Sequence, residues 1–279
     1  MYRFPDIFPW RLIVRFALIS LLLGLSLSLA HGGDRFELAQ TMRMIPPNGP
    51  AERYGDVSFE RSSRGRLPAA VFPHWLHRAQ FTCRVCHQEL KFAMSSGQTR
   101  MSRAALIGGR FCGACHNGDQ AFSLRPKDGG DSCGRCHLEN RSVLDEKFRS
   151  FAADLPKAEF GNRIDWAEAY AQDLVQPIDS LSGGWRDTVG LPKKLRKPLN
   201  LGTNAARSSV RFSHEEHYAE MDCANCHPDI FTIMRNGTEE FTMEKNIYGW
   251  YCGTCHMRVA FPMNDCHRCH SEMKNGKRF

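Results

Sequence analysis

The sequence predicts a mostly irregular, partly helical fold with little strand, built as two tandem units whose interiors something other than aliphatic side chains must fill. Three observations predict it. All 12 cysteines fall into C-x-x-C-H units. The chain repeats itself on a shift of 140 residues, from Phe72/Phe212 to Cys112/Cys252. Only 42% of its 279 residues are hydrophobic, with 23 Gly and 14 Pro scattered throughout, and such a chain does not build a large apolar core unaided.

Residues 1–30 read as an export leader. Arg3, Arg11 and Arg15 precede an apolar run from Phe16 to Leu29, and Ser28 and Ala30 stand before a cleavage point, the layout of a secretory signal peptide. If uncleaved, residues 11–30 would anchor the chain to a membrane, although a spanning helix wants about 20 apolar residues. Either way the rest of the chain is expected outside the cytoplasm, periplasmic or otherwise extracytoplasmic. Residues 31–69 form an extended, polar segment with Pro46 and Pro47, suited to wrapping a folded unit, to meeting a partner or to acting as a linker.

Residues 70–138 contain Cys83-Arg-Val-Cys86-His87, Cys112-Gly-Ala-Cys115-His116 and Cys133-Gly-Arg-Cys136-His137. Residues 208–279 contain Cys223-Ala-Asn-Cys226-His227, Cys252-Gly-Thr-Cys255-His256 and Cys266-His-Arg-Cys269-His270. C-x-x-C-H is the attachment signature of c-type heme. Thiols three residues apart share one turn and reach the two vinyl groups of a porphyrin, and the next residue lies under the macrocycle, where its imidazole meets the iron. Zinc sites and redox disulfides also use C-x-x-C, as do disulfide scaffolds of exported chains. None of these requires a histidine after the second cysteine six times in six. Six covalent hemes c are therefore expected.

The chain has 12 histidines. Six are the proximal ones within the motifs; His31 sits at the leader and His267 reads as a surface residue of the last motif. The other four form two matching pairs, His74/His77 after Phe72 and His214/His217 after Phe212. The i, i+3 spacing sets both rings of a pair on one side of a helical turn, so each pair can serve two neighbouring hemes as distal ligands. Two irons are left without a histidine. Met94 and Met234 occupy the same register of the two halves, and Met101 and Met243 lie nearby but out of register by two. These are tentative distal ligands; otherwise they are soft packing against porphyrin, and the two irons are five-coordinate.

Phe-x-His-x-x-His followed by three C-x-x-C-H motifs resembles the triheme class III cytochromes, the cytochrome c7 type. The likeness extends to their tandem-triheme branch through Pro73-His-Trp-Leu-His-Arg78 and Phe111-Cys-Gly-Ala-Cys-His-Asn-Gly118. It covers residues 70–137 and 208–270. The resemblance implies two c7-like units with hemes forming the core. It also implies that His74 ligates the heme on Cys83/Cys86, and His77 the heme on Cys112/Cys115. His214 and His217 would do the same for Cys223/Cys226 and Cys252/Cys255. Small c7 proteins supply a histidine shortly before the second motif for their third heme; this chain has none there.

Residues 139–207 join the units. A short helix is expected over residues 162–171, with Asn162 or Asp165 at its start; Gln176-Pro177, Gly183-Gly184 and Pro192 to Pro198 read as extended connector.

The net charge is +7, and loss of Arg3, Arg11, Arg15 and Asp6 with the leader leaves +5. The excess is small and dispersed, which argues against nucleic acid. Heme propionates would cancel it further. Irons with two histidines have no open position. The function expected is electron transfer between redox proteins, or with a membrane-bound electron-transfer complex, by a carrier that is not itself an enzyme. The alternative is a heme subunit of an oxidoreductase acting at a five-coordinate iron.

Overall fold

The structure is a computed structural model, and it describes residues 49–59, 67–125, 132–183, 190–201, 209–231 and 242–271. The leader, His31 and Met234 lie outside these. All the described residues belong to one compact unit, 45–279.

Among the described residues the fold is mostly irregular chain with short helices and four short strands. Each repeat opens on an antiparallel hairpin. In the first, β1 (Asp56–Phe59) pairs with β2 (Ala70–Pro73), Val57 opposite Phe72. In the second, β3 (Leu199–Leu201) pairs with β4 (Val210–Phe212), Leu199 opposite Phe212. The first arm of each hairpin thus comes from the segment preceding the cysteine-rich region.

Each second arm runs into the His-x-x-His helix: α1 (His74–Arg78) in repeat 1. A further helix, α2 (Arg103–Ile107), precedes the second motif, and its N-cap Ser102 accepts from Ala105 N. The intervening segment carries α3 (Ser142–Ala152) and α4 (Trp166–Ala171). Repeat 2 follows with α5 (His214–Tyr218), α6 (Cys223–Cys226), α7 (Met243–Ile247), α8 (Gly253–His256) and α9 (Cys266–Cys269). Helices α5 and α7 sit 140 residues after α1 and α2, and their N-caps Ser213 and Thr242 again accept from the third helical residue. Such caps satisfy amides that a short helix cannot pair internally.

The apolar core is not distributed evenly. Its buried cluster is Trp75, Phe148, Leu155, Ile164, Trp166, Ala169 and Val175, so all but Trp75 come from the segment between the repeats. Leu144, Phe148 and Phe151 recur at i, i+4 and i+7 of α3, the spacing of an amphipathic helix. Trp75 packs edge-on against Phe148 (5.2 Å between ring centres) and tilted against Phe151 (5.4 Å). The segment is therefore a structural wedge rather than a spacer. The expected short helix begins at Trp166 with Asp165 as its cap. Asn162 instead turns inward, its side-chain oxygen accepting from Trp166 Nε1 at 3.2 Å.

Ion pairs fasten the N-terminal segment to the wedge: Arg53 to Asp145 at 2.9 Å, Arg149 to Glu52 at 3.1 Å, and Arg141 to Asp56. The wedge leans on repeat 1 through Trp75; the repeat 2 position is Glu215, which is exposed. Trp75→Ala is expected to destabilise the protein by about 3–5 kcal/mol. Glu215→Ala should change stability by less than about 0.5 kcal/mol. Chemical denaturation of the two variants checks the contrast.

Candidate functional site

Each motif closes on itself as a turn. The amide of the motif histidine donates to the carbonyl of the first cysteine at His116–Cys112 (2.9 Å), His137–Cys133 (2.8 Å), His227–Cys223 (2.9 Å), His256–Cys252 (2.9 Å) and His270–Cys266 (2.8 Å). The i→i+4 closure puts both thiols and the imidazole on one side of the turn. The first motif is wider, running into a π-turn over Val85–Glu89. The thiols are free rather than cross-linked at Cys83/Cys86, Cys112/Cys115, Cys223/Cys226, Cys252/Cys255 and Cys266/Cys269. Burial pushes Cys86 and Cys255 up to about 12 and Cys112, Cys226 and Cys269 up to about 11. No group of three or more His, Cys, Asp or Glu among the described residues is arranged to hold a bare metal ion.

The histidines share a second feature. Nδ1 of nine of the ten candidate ligands faces a backbone carbonyl. In repeat 1 the pairs are His74–Gly55 (2.5 Å), His77–Pro73 (3.1 Å), His87–Phe92 (3.0 Å), His116–Phe122 (3.3 Å) and His137–Pro68 (2.7 Å). In repeat 2 they are His217–Ser213 (2.8 Å), His227–Phe231 (2.8 Å), His256–Phe261 (2.9 Å) and His270–Ser209 (3.1 Å). A carbonyl only accepts, so Nδ1 carries the proton and Nε2 is left with its lone pair. That outer contact is the one that orients a metal-binding imidazole. Burial also holds the His74 and His256 rings neutral, pushed down to about 4. Among the described residues His214 Nδ1 has no such partner.

The rings come together in pairs. His77 and His116 have their centres 6.3 Å apart at 62°, and His217 and His256 are 6.2 Å apart at 63°. An imidazole nitrogen sits about 2 Å from a metal and its ring centre roughly 1 Å further out, so two rings sharing one ion lie about 6 Å apart. Both pairs fit an iron between them, as the resemblance implied for His77 and His217. Phe72 positions these rings, stacked on His77 at 4.2 Å and edge-on to His74 at 4.8 Å. Phe212 lies likewise beside His217 (4.7 Å) and His214 (4.9 Å).

Sequence reasoning passed over a second set of aromatics. Phe122 lies 4.3 Å from His116 and Phe261 4.3 Å from His256, and each also supplies the carbonyl that its histidine faces. A phenylalanine four to six residues after the motif histidine recurs at Phe92, Phe122, Phe231 and Phe261, a signal open to reading. The third motif of each repeat lacks it and is tied to the residues just before the second arm of its own hairpin, through Pro68 in repeat 1 and Ser209 in repeat 2. Of the methionines, Met94 and Met101 are half-buried. Met243 opens α7 and is exposed, at the helical position of Arg103 in repeat 1 rather than that of Met101. His267 is exposed.

The family model described as "Cytochrome c7 and related cytochrome c" matches twice, over residues 70–141 and 210–274. A solved c7-type three-heme cytochrome domain is 37% identical over 30% of this chain and 91% of its own, with a TM-score of 0.25. The C-terminal hexaheme fragment of GSU1996 is 25% identical over 77% of this chain and 96% of its own, with a TM-score of 0.25. The dodecaheme cytochrome c GSU1996 is 22% identical over 79% of this chain and 75% of its own, with a TM-score of 0.26. No curated protein matches. With one family match on each half, the chain belongs to the cytochrome c7 family, as a tandem multiheme c-type cytochrome.

Proposed function

We propose that the chain binds six hemes c, one at each motif through its two cysteines, and serves as an electron carrier between redox proteins outside the cytoplasm. The observation that carries this reading is the pairing of His77 with His116 and of His217 with His256 at the separation one iron requires. His74 with His87, and His214 with His227, are the corresponding pairs for the first heme of each repeat. When bound, the hemes supply reversible one-electron chemistry. The chain's own residues leave Nε2 of nine of the ten ligands free by turning Nδ1 to a carbonyl, and phenylalanines pack beside the rings of the first two motifs in each repeat. An imidazole held on both faces of the iron leaves no position for a substrate, which favours a carrier over an enzyme. The layout of residues 1–30 supports export.

The test is direct. The mass of the purified holoprotein should exceed that of the polypeptide by six hemes, and its ferric spectrum should be dominated by low-spin iron. Carbon monoxide binding by the first two hemes of a repeat, once reduced, would overturn the assignment. The third hemes distinguish carrier from oxidoreductase. A near-infrared charge-transfer band supports methionine ligation there, whereas high-spin signals confined to them favour the enzymatic reading.

The repeats differ in what they offer a partner. Lys91, Arg100, Arg103 and Arg110 are exposed in repeat 1; Lys91, Arg100 and Arg110 line a cleft of about 540 Å³ with Phe111. The residues 140 positions later are Phe231, Glu240, Met243 and Trp250. The basic rim suits docking of an acidic redox protein. Stopped-flow rates with such a partner should fall as salt rises past the ~10 Å screening length reached at 0.1 M. The double variant Arg103→Glu, Arg110→Glu should slow them by about tenfold or more at low salt.

A further inference from the structure

The two repeats do not meet end to end. Their junction is built around the first motif of repeat 1. Tyr54 Oη donates to Ala260 O at 2.7 Å. Gly55, whose carbonyl accepts a hydrogen bond from His74 Nδ1, lies against the backbone of Arg258 and Val259, 3.5 and 3.7 Å from where its Cβ would stand. Residues 258–260 are the chain leaving His256, so one stretch of backbone separates the distal histidine of the first motif from the fifth motif. Arg78, one residue after His77, pairs with both carboxylate oxygens of Glu220 at 3.2 and 3.3 Å, and Cys83 Sγ lies 3.6 Å from the same carboxylate. The Arg84 amide donates to Glu220 O at 3.0 Å, and the Val85–Glu89 turn packs on α6. The third motif is held instead inside its own repeat, by Val71 N to Cys136 O at 2.9 Å and by His137 to Pro68.

We infer that electrons cross between the repeats from the heme on Cys83/Cys86 to the heme on Cys252/Cys255, rather than between the third and fourth motifs that are neighbours in sequence. The inference rests on heme attachment at those motifs as proposed above. Electron hopping falls steeply with separation, so the pair brought closest across the junction dominates the traffic. One ferrous iron is oxidised and the facing ferric iron reduced, with no bond made or broken. Each three-heme unit is then entered at one heme and branches to the other two, unlike a single file of six.

Proton NMR of the fully reduced, diamagnetic holoprotein tests this. Heme substituents are assigned through their own cysteine and histidine protons, and contacts between different hemes are then mapped. The expected cross-repeat contacts join the heme on Cys83/Cys86 to the heme on Cys252/Cys255. A holoprotein mass short of six hemes sinks the attachment reading instead. Six hemes whose cross-repeat contacts join any other pair, Cys83/Cys86 with Cys223/Cys226 or Cys133/Cys136 with Cys223/Cys226, or with no cross-repeat contact at all, overturn the route.

Discussion

Alanine at Gly113 or Gly253 is expected to strip the second heme from its repeat. Each glycine follows the first cysteine of the second motif. A Cβ built on Gly113 would lie 1.8 Å from the carbonyl oxygen of Leu106, and one on Gly253 would lie 1.8 Å from that of Asn246. The obstacle is backbone, from α2 and α7, and cannot swing aside as a side chain does. Overfilling a packed site typically costs about 1–3 kcal/mol. Relief here requires the helix and the motif turn to separate, which moves the two thiols out of reach of one porphyrin. The third motif contains its own control. Gly134 occupies the same place in the pattern, yet nothing lies within 4 Å of its Cβ direction. Intact-mass measurement should find one heme missing in Gly113→Ala and in Gly253→Ala, and a full complement in Gly134→Ala. A full complement in all three would show that the helix yields.

Removal of a distal imidazole should have an effect as large, but on the iron rather than on attachment. In His77→Ala the Nδ1 contact to Pro73 and the stack on Phe72 vanish together, while the covalent link at Cys112 and Cys115 is untouched. One heme then becomes high-spin and binds carbon monoxide on reduction. The variant should take up one more equivalent of the gas than the parent. His217→Ala should behave identically through Ser213 and Phe212, because the two repeats share this geometry to within 0.1 Å between ring centres. His267→Ala should change nothing, since that ring is exposed. Carbon monoxide titration with ferric spin-state spectroscopy measures all three; unchanged uptake in His77→Ala removes that histidine from the ligand set.

These variants also mark how far the sequence could be read. The motif turns were legible because C-x-x-C-H is a local pattern whose geometry follows from one helical turn. The histidine pairs were legible because i, i+3 spacing is equally local, and because the repeat presented each pair twice. The wedge was less so. Leu144, Phe148 and Phe151 carry a helical period, but a linker and a buried helix differ in what lies opposite, and Trp75 is about seventy residues away. The Trp75-to-Glu215 difference between repeats was visible in the sequence and acquires meaning only once α3 is seen against one repeat alone. Between the two starts the sequence left open for the short helix, the structure selects Asp165, since the indole Nε1 of Trp166 claims the Asn162 oxygen.

The amino-acid sequence by itself determined the two-unit, mostly irregular architecture and its division into motifs of three. It also determined that His74/His77 and His214/His217 are matching pairs, since all of this follows from spacing within a turn and from self-similarity along the chain; which heme each distal histidine would serve is what the family resemblance implies. Only the tertiary structure decided that nine imidazoles turn the same nitrogen toward a carbonyl. It also decided that the second-motif glycines sit under a neighbouring helix, and that repeat 1 meets repeat 2 through its first motif. Those features depend on backbone carbonyls and on a half-buried ion pair, Arg78 with Glu220, 142 residues apart. Every residue carries a carbonyl, and no local pattern announces which one will arrive where.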